Sequence, residues 1–315
     1  DYYFSEKILR FFGFAQNDKL PENIKKATPE NLIQQLSTDN YQLIIIGTVH
    51  RYFNVFEKIA EKFNTSIICH NLNFVKASNF NLLISIFKED FKYRLKLLLK
   101  EGLLRKSYVY KKAKNLLVLD ENLAKENYNN LPIFYTKFFE KPDNETFTIV
   151  IPGAVSQKRR DYEGILKSII IFHFPLEIIF LGKAQGKELE MLQNFEQSKP
   201  ENISIKYFKE KVLQDVFDDY MQKADVLWCP IQQETEFFSQ KELYGITKMS
   251  GNIGDAVKFG KLAIFPENYP SNYSFIIPEK GSLGDFLFTK KDVDFSEFSK
   301  EKVLQELEKT IFALL

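Results

Sequence analysis

Short apolar runs alternate with longer stretches of helical spacing along almost the whole chain, and that alternation restricts it to an α/β fold of parallel strands joined by helical crossovers. In the first half the strand-like runs are YQLIIIG (41–47), SIICH (66–70) and NLLVLD (115–120). In the second half they are TFTIVIPG (146–153), LEIIFLG (176–182), ISIKYF (203–208), ADVLWCPI (224–231), KLAIFP (261–266) and, as a further candidate, SFIIP (274–278). Runs this continuously apolar are buried on both faces, which predicts doubly wound sheets. A chain of 315 residues can bury two cores. The pattern breaks near 135–146, where Pro142, Asp143 and Asn144 interrupt it, so the expected division is 1–140, 141–298 and a closing helix over 299–315. That helix is predicted from Val303, Leu304, Leu307 and Ile311 behind a Ser299 cap, and it is expected to reach back toward the first domain. The opening DYYFSEKILRFFGF reads as a loop entering a helix, and the first strand of that half is expected to be missing.

Charge narrows the classes of partner. Lys plus Arg total 43 against 42 for Asp plus Glu, so the net +1 gives no global pull toward nucleic acid, and any electrostatic role must be local. The two cysteines, Cys69 and Cys229, lie in separate apolar runs without metal-ligand neighbours; buried thiols in a reducing cytosol are expected, with a disulfide as the alternative. No stretch approaches the roughly 20 apolar residues of a spanning helix, and no signal peptide is read ahead of Asp1, so a soluble or peripheral cytoplasmic protein is expected.

In an open parallel sheet, ligands gather beyond the carboxyl ends of the strands. After 146–153 comes PGAVSQKRRDYEGIL, in which Gly153 lets the backbone turn and Lys158, Arg159 and Arg160 stand before a helix starting near Asp161 or Tyr162. Cations beside a helix N-terminus suit an anion. FLGKAQGKE repeats the scheme with Gly182, Lys183, Gly186 and Lys187, and a loop bearing Glu234 and Glu236 follows 224–231. In ELYGITKMSGNIGDAVKFGKLAIFPE (242–267), Tyr244, Gly245, Thr247, Lys248, Ser250 and Gly251 precede a helix expected over about 253–259. Small and hydroxyl residues there let backbone amides approach a diphosphate, Lys248 neutralises it, and Asp255 is placed for sugar hydroxyls. GDAVKFGKL lacks the spacing and the Ser or Thr of a phosphate loop, and no G-x-G-x-x-G follows an early strand. Nicotinamide and flavin dinucleotides are therefore disfavoured.

IPGAVSQKRRDYEGIL, IIFLGKAQGKE, ADVLWCPI and ELYGITKMSGNIGDAVKFGKLAIFP follow one another as in the nucleotide-sugar domain of GT-B glycosyltransferases, and the chain resembles the retaining family four and its bacterial relatives of cell-surface polysaccharide synthesis. The resemblance covers about 146–267 well and the first half by pattern alone. Of that family's signature Asp255, Ala256 and Gly260 match the second part, with Asp255 replacing glutamate, while Lys248 stands where the first glutamate belongs. The resemblance implies two Rossmann-like domains facing a cleft and a hexosyltransferase-type enzyme. It implies a nucleoside diphosphate-sugar donor, a saccharide or lipid-linked acceptor, and no cofactor or metal. The absence of a D-x-D at a strand end agrees with the last point. By the same resemblance Arg159 or Arg160 and Lys248 hold the diphosphate, Asp255 the ribose, and Gly245, Thr247, Ser250 and Gly251 surround phosphate and sugar. His70, just after a strand, fits a family histidine facing the donor sugar, and His50, at another strand end, competes for that role or for acceptor base. His173 reads as structural. A silent GT-B module that binds nucleotide sugar or a protein partner, and a nonhydrolysing sugar-nucleotide epimerase, are the rival readings.

Residues 88–114 hold ten Lys or Arg and three acids, a net +7. Phe91, Leu95, Leu98 and Leu99 share a helical face there, which fits either packing on the first sheet or peripheral contact with an anionic membrane.

Overall fold

The structure, a computed structural model, describes residues 1–5, 19–125, 127–140, 143–279 and 293–315. Its first sheet is β3 (Ile44–Ile46), β4 (Thr65–Ile68), β5 (Asn115–Val118) and β6 (Asn129–Asn130), parallel and in sequence order. Ahead of it, β1 (Tyr2–Phe4) pairs in parallel with β2 (Ile24–Lys26) as a separate two-stranded sheet. The opening residues therefore form a strand where the sequence suggested a loop; the helix expected to follow lies outside the described residues, as does Pro142.

The second sheet contains β7 (Phe147–Pro152), β8 (Leu176–Lys183), β9 (Ile203–Phe208), β10 (Val226–Trp228), β13 (Ala263–Pro266) and β14 (Ile276–Glu279). Its order is β9-β8-β7-β10-β13-β14, with every pairing parallel. Counted from β7 this is 3-2-1-4-5-6, the doubly wound order whose switch point lies between strands one and four. Its cores obey the period of two. Ile149 and Ile151 pack with Ile178 and Phe180 on one face, while Val150 packs with Ile179 and Leu181 on the other. Both cysteines are free and buried, and burial pushes both thiols up.

Three segments join the two sheets. Residues 131–140 run across the second sheet, where Phe138 stacks on Phe259 at 5.5 Å and the backbone N–H groups of Lys137 and Phe138 donate to Lys258 O. An antiparallel hairpin of β11 (Glu234–Phe237) and β12 (Gln240–Leu243) reaches onto the first half. The terminal helix, Lys300–Leu314, is capped by Ser299 and packs Leu307 and Leu314 beside Leu117 and Leu131, with Leu314 O accepting from Asn64. Among the described residues no helix is long and apolar enough to cross a membrane.

Candidate functional site

A cavity of about 260 Å³ opens at the switch point, lined by Gly153 and Arg159 and Arg160 after β7, Ile231 after β10, and Tyr244, Lys248, Met249, Ser250, Gly251, Asn252 and Asp255. The loops after β7 and β10 are tied together: Asp161 N–H donates to Pro230 O at 2.9 Å, and Gln232 N–H to Arg159 O at 2.9 Å. Asp161 then caps the helix Tyr162–Ile169 by accepting from Gly164 N–H. Gly153 has φ +105, which favours glycine, and a Cβ there would lie 2.5 Å from Arg160 Nη2 and push that guanidinium aside. Gly182 serves the same approach from β8, since a Cβ on it would meet Gly153 O at 2.2 Å.

The opposite wall is the start of the helix Gly251–Phe259. Ser250 caps it, its hydroxyl accepting from Asn252 N–H at 3.3 Å, and Gly260 ends it at φ +57. Asn252 is the hub. Its Oδ1 accepts from Arg160 Nη2 at 3.3 Å, and its Nδ2 donates to Asp255 Oδ2 at 3.1 Å. Arg160 Nη1 donates to Ala154 O at 3.3 Å, but Arg160 Nε is buried with no partner among the described residues. A buried guanidinium donor left open beside a cavity calls for an acceptor. Burial raises Asp255 to about 6, against the pull of Asn252, Lys258 and Arg160.

Lys248 bridges the two halves: its Nζ donates to Asn71 Oδ1 at 2.7 Å, while burial lowers its pKa against the opposing pull of Glu242. Three cations and one carboxylate thus share the cavity, which makes it electropositive. A larger cavity of about 1210 Å³ between the halves is lined, among the described residues, by Glu121, Asp294, Glu297 and Glu306 with Lys302.

Of the residues singled out from sequence, Gly153, Arg159, Arg160, Tyr244, Lys248, Ser250, Gly251 and Asp255 line the cavity. Lys183, Gly245 and Thr247 do not. Lys183 ends β8 within 4.0 Å of Glu210, Gly245 turns the chain at φ +77, and Thr247 closes that turn by accepting from Leu243 N–H while its own carbonyl accepts from Leu72 N–H. His50 lies under Phe237, with ring centroids 4.4 Å apart, and burial pushes its pKa down to about 4. His70 is exposed, its Nε2 2.8 Å from Gly47 O and its ring 6.3 Å from that of His50. His173 is exposed in a turn region, not a helix. Among the described residues no group of three or more His, Cys, Asp or Glu side chains could hold a metal ion.

No family model matches the sequence, and no curated protein matches it significantly. Solved structures do. HepE from Anabaena, in complex with UDP, matches with a TM-score of 0.55 at 10% identity over 98% of this chain and 89% of its own. The apo lipopolysaccharide outer core galactosyltransferase WaaB gives 0.52 at 12% identity over 95% and 88%. Sucrose-phosphate synthase from Thermosynechococcus elongatus gives 0.51 at 12% over 91% and 78%.

The chain has the GT-B fold. Its two parallel sheets are the Rossmann-like halves of that fold, and the 260 Å³ cavity lies at the carboxyl end of the second. Two residues of this GT-B chain escaped the sequence reading. Asn252 gave no signal beyond an amide one step into an apolar helix, yet it is 4% exposed and links Arg160 to Asp255. Glu242, fully buried, accepts from Asn73 and Phe74 N–H across the cleft, and its opposing partners are nearly 170 positions away.

Proposed function

We propose that the protein is a hexosyltransferase-type glycosyltransferase that moves a sugar from a nucleoside diphosphate donor to a saccharide or lipid-linked acceptor. The observation that carries this is the electropositive cavity at the switch point of the second sheet. Glycosyl transfer builds positive charge on the sugar and negative charge on the departing diphosphate. Arg159, Arg160 and Lys248 offset the second of these, together with the N–H groups at the start of the helix Gly251–Phe259. The open Nε of Arg160 gives one defined donor for a phosphate oxygen. The cavity's volume suits the phosphate end of the donor, with the base and sugar extending into the cleft. Asp255 faces the ribose, and Asn252 sets its position. HepE, solved with UDP, supports a uridine nucleotide as the first donor to test. We take the reaction to be metal-independent, because fixed cations supply the charge. If the transfer inverts, the base falls to His70, since the shielded His50 imidazole binds a proton too weakly. The reading places the protein in the cytoplasm, at the inner face of the membrane where lipid-linked acceptors lie.

One observation favours a second reading. Lys248, where the resemblance expects a glutamate, is held by Asn71, which suits a module that binds nucleotide sugar without turning it over. Calorimetry with UDP and GDP, followed by hydrolysis of the matching sugar nucleotides, separates the two. The proposal expects saturable binding and turnover, both lost in Arg160→Ala. Binding without turnover on any acceptor favours the silent module, and no binding at millimolar nucleotide rejects both.

A further inference from the structure

We infer that the helix pair Asn79–Ile86 and Phe91–Lys100 of the first half docks on an anionic lipid bilayer. The first helix turns Leu82, Ser85 and Ile86 inward. Its other side is apolar too: Phe80, Leu83, Ile84 and Phe87, at i, i+3, i+4 and i+7, are 70, 37, 44 and 79% exposed. A helix apolar all round is normally covered on both sides, and among the described residues this one is covered on one. The outward stripe continues into the second helix, where Phe91 meets Phe87 at 5.7 Å and Leu99 is 73% exposed. Of the two readings of Phe91, Leu95, Leu98 and Leu99, packing on the first sheet does not fit the exposure of Phe91 and Leu99, at 47 and 73%. The inward positions are Leu97 and Arg94, because the Arg94 guanidinium bonds Ser85 O and Ser239 Oγ and lies 5.3 Å over the Phe238 ring. The inner face is thus satisfied and the outer one is not.

Charge identifies the occupant. Lys88, Lys92, Lys96 and Lys100 are exposed around the stripe, and Lys88, Lys92 and Lys100 have no ion-pair partner among the described residues. Within 79–100 the cations Lys88, Lys92, Arg94, Lys96 and Lys100 outnumber Glu89 and Asp90, a net +3, and of these cations only Arg94 is turned inward. An anionic surface therefore attracts this face, while exposed Tyr93 suits the headgroup layer. A second copy fits less well. A twofold contact would set the same lysines against themselves. The inference deepens the lipid-linked acceptor of the proposed function and rests on it for its purpose alone, since vesicle binding is read without any sugar transfer.

The test is co-sedimentation of the full chain with vesicles of phosphatidylcholine, alone or mixed with phosphatidylglycerol, alongside Phe87→Ser/Phe91→Ser and Lys88→Glu/Lys92→Glu. Unchanged thermal unfolding and UDP titration in the variants report an intact fold. The wild type is expected to bind the anionic vesicles about tenfold more tightly than the neutral ones, and each double variant to lose about tenfold. Absence of binding, equal binding to both vesicles, or variants that bind like the wild type overturn the inference. So does a wild-type dimer in sedimentation equilibrium that Phe87→Ser/Phe91→Ser dissociates, since a second copy would then cover the stripe.

Discussion

Asp255 sits one turn into the helix Gly251–Phe259, where burial raises its carboxyl to about 6. The folded pKa lies above the unfolded one, so the stability gained from the protonated form is fully present below about 4 and is lost as the pH rises through about 6. The ionised carboxylate then costs up to about 3 kcal/mol at neutral pH. Asp255→Asn is expected to melt higher than the wild type at pH 7.5, with an advantage that disappears by pH 4. A variant less stable at both pH values contradicts this assignment. The sequence placed Asp255 and Lys248 correctly on either side of a helix start, because glycine, serine and helical spacing mark such a start locally. It could not assign His50 its state. The strand end was visible, but the ring that covers it, Phe237, comes from the other half of the chain.

The hairpin β11–β12 was read as a loop bearing Glu234 and Glu236. Its turn residues, Phe238 and Ser239, have φ +51 and +52, left-handed values that hairpins normally assign to asparagine and glycine. Such a turn costs about 1–3 kcal/mol per residue and persists only where its surroundings impose it. Here they do: Phe238 packs on Phe74 at 5.2 Å and under Arg94, and Ser239 Oγ accepts from Arg94. Long-range contacts therefore decide a local shape, which a reading by local propensity misses. Glu242 extends the same contact by accepting from Asn73 and Phe74 N–H at 3.2 and 2.8 Å. Removing it leaves two donors open at a cost of about 1–3 kcal/mol each. Glu242→Ala is expected to speed amide exchange at Asn73 and Phe74 by about ten- to hundredfold while residues 149–151 of β7 keep their protection. Unchanged exchange at Asn73 and Phe74 contradicts the clasp.

At the scale of the molecule, the alternation of strand and helix was legible because parallel strands buried on both faces read as apolar runs, and the nine read from sequence all fall on observed strands. The pairing of β1 with β2 was not, since three half-exposed residues carry no period. Nor was the route of residues 131–140, which fix the site helix through Phe134 and Phe138. The strand order sets the switch point between β7 and β10, and loops distant in sequence there combine Arg159, Arg160, Lys248 and Asp255 in one hollow. The central claim is that this hollow holds a diphosphate. The most direct test is paired calorimetric titration of UDP and UMP into the wild type and Lys248→Ala. The account predicts that the wild type prefers UDP by about tenfold or more and that Lys248→Ala loses most of that preference. Equal affinity for the two nucleotides in the wild type, or a preference that survives in Lys248→Ala, would contradict it.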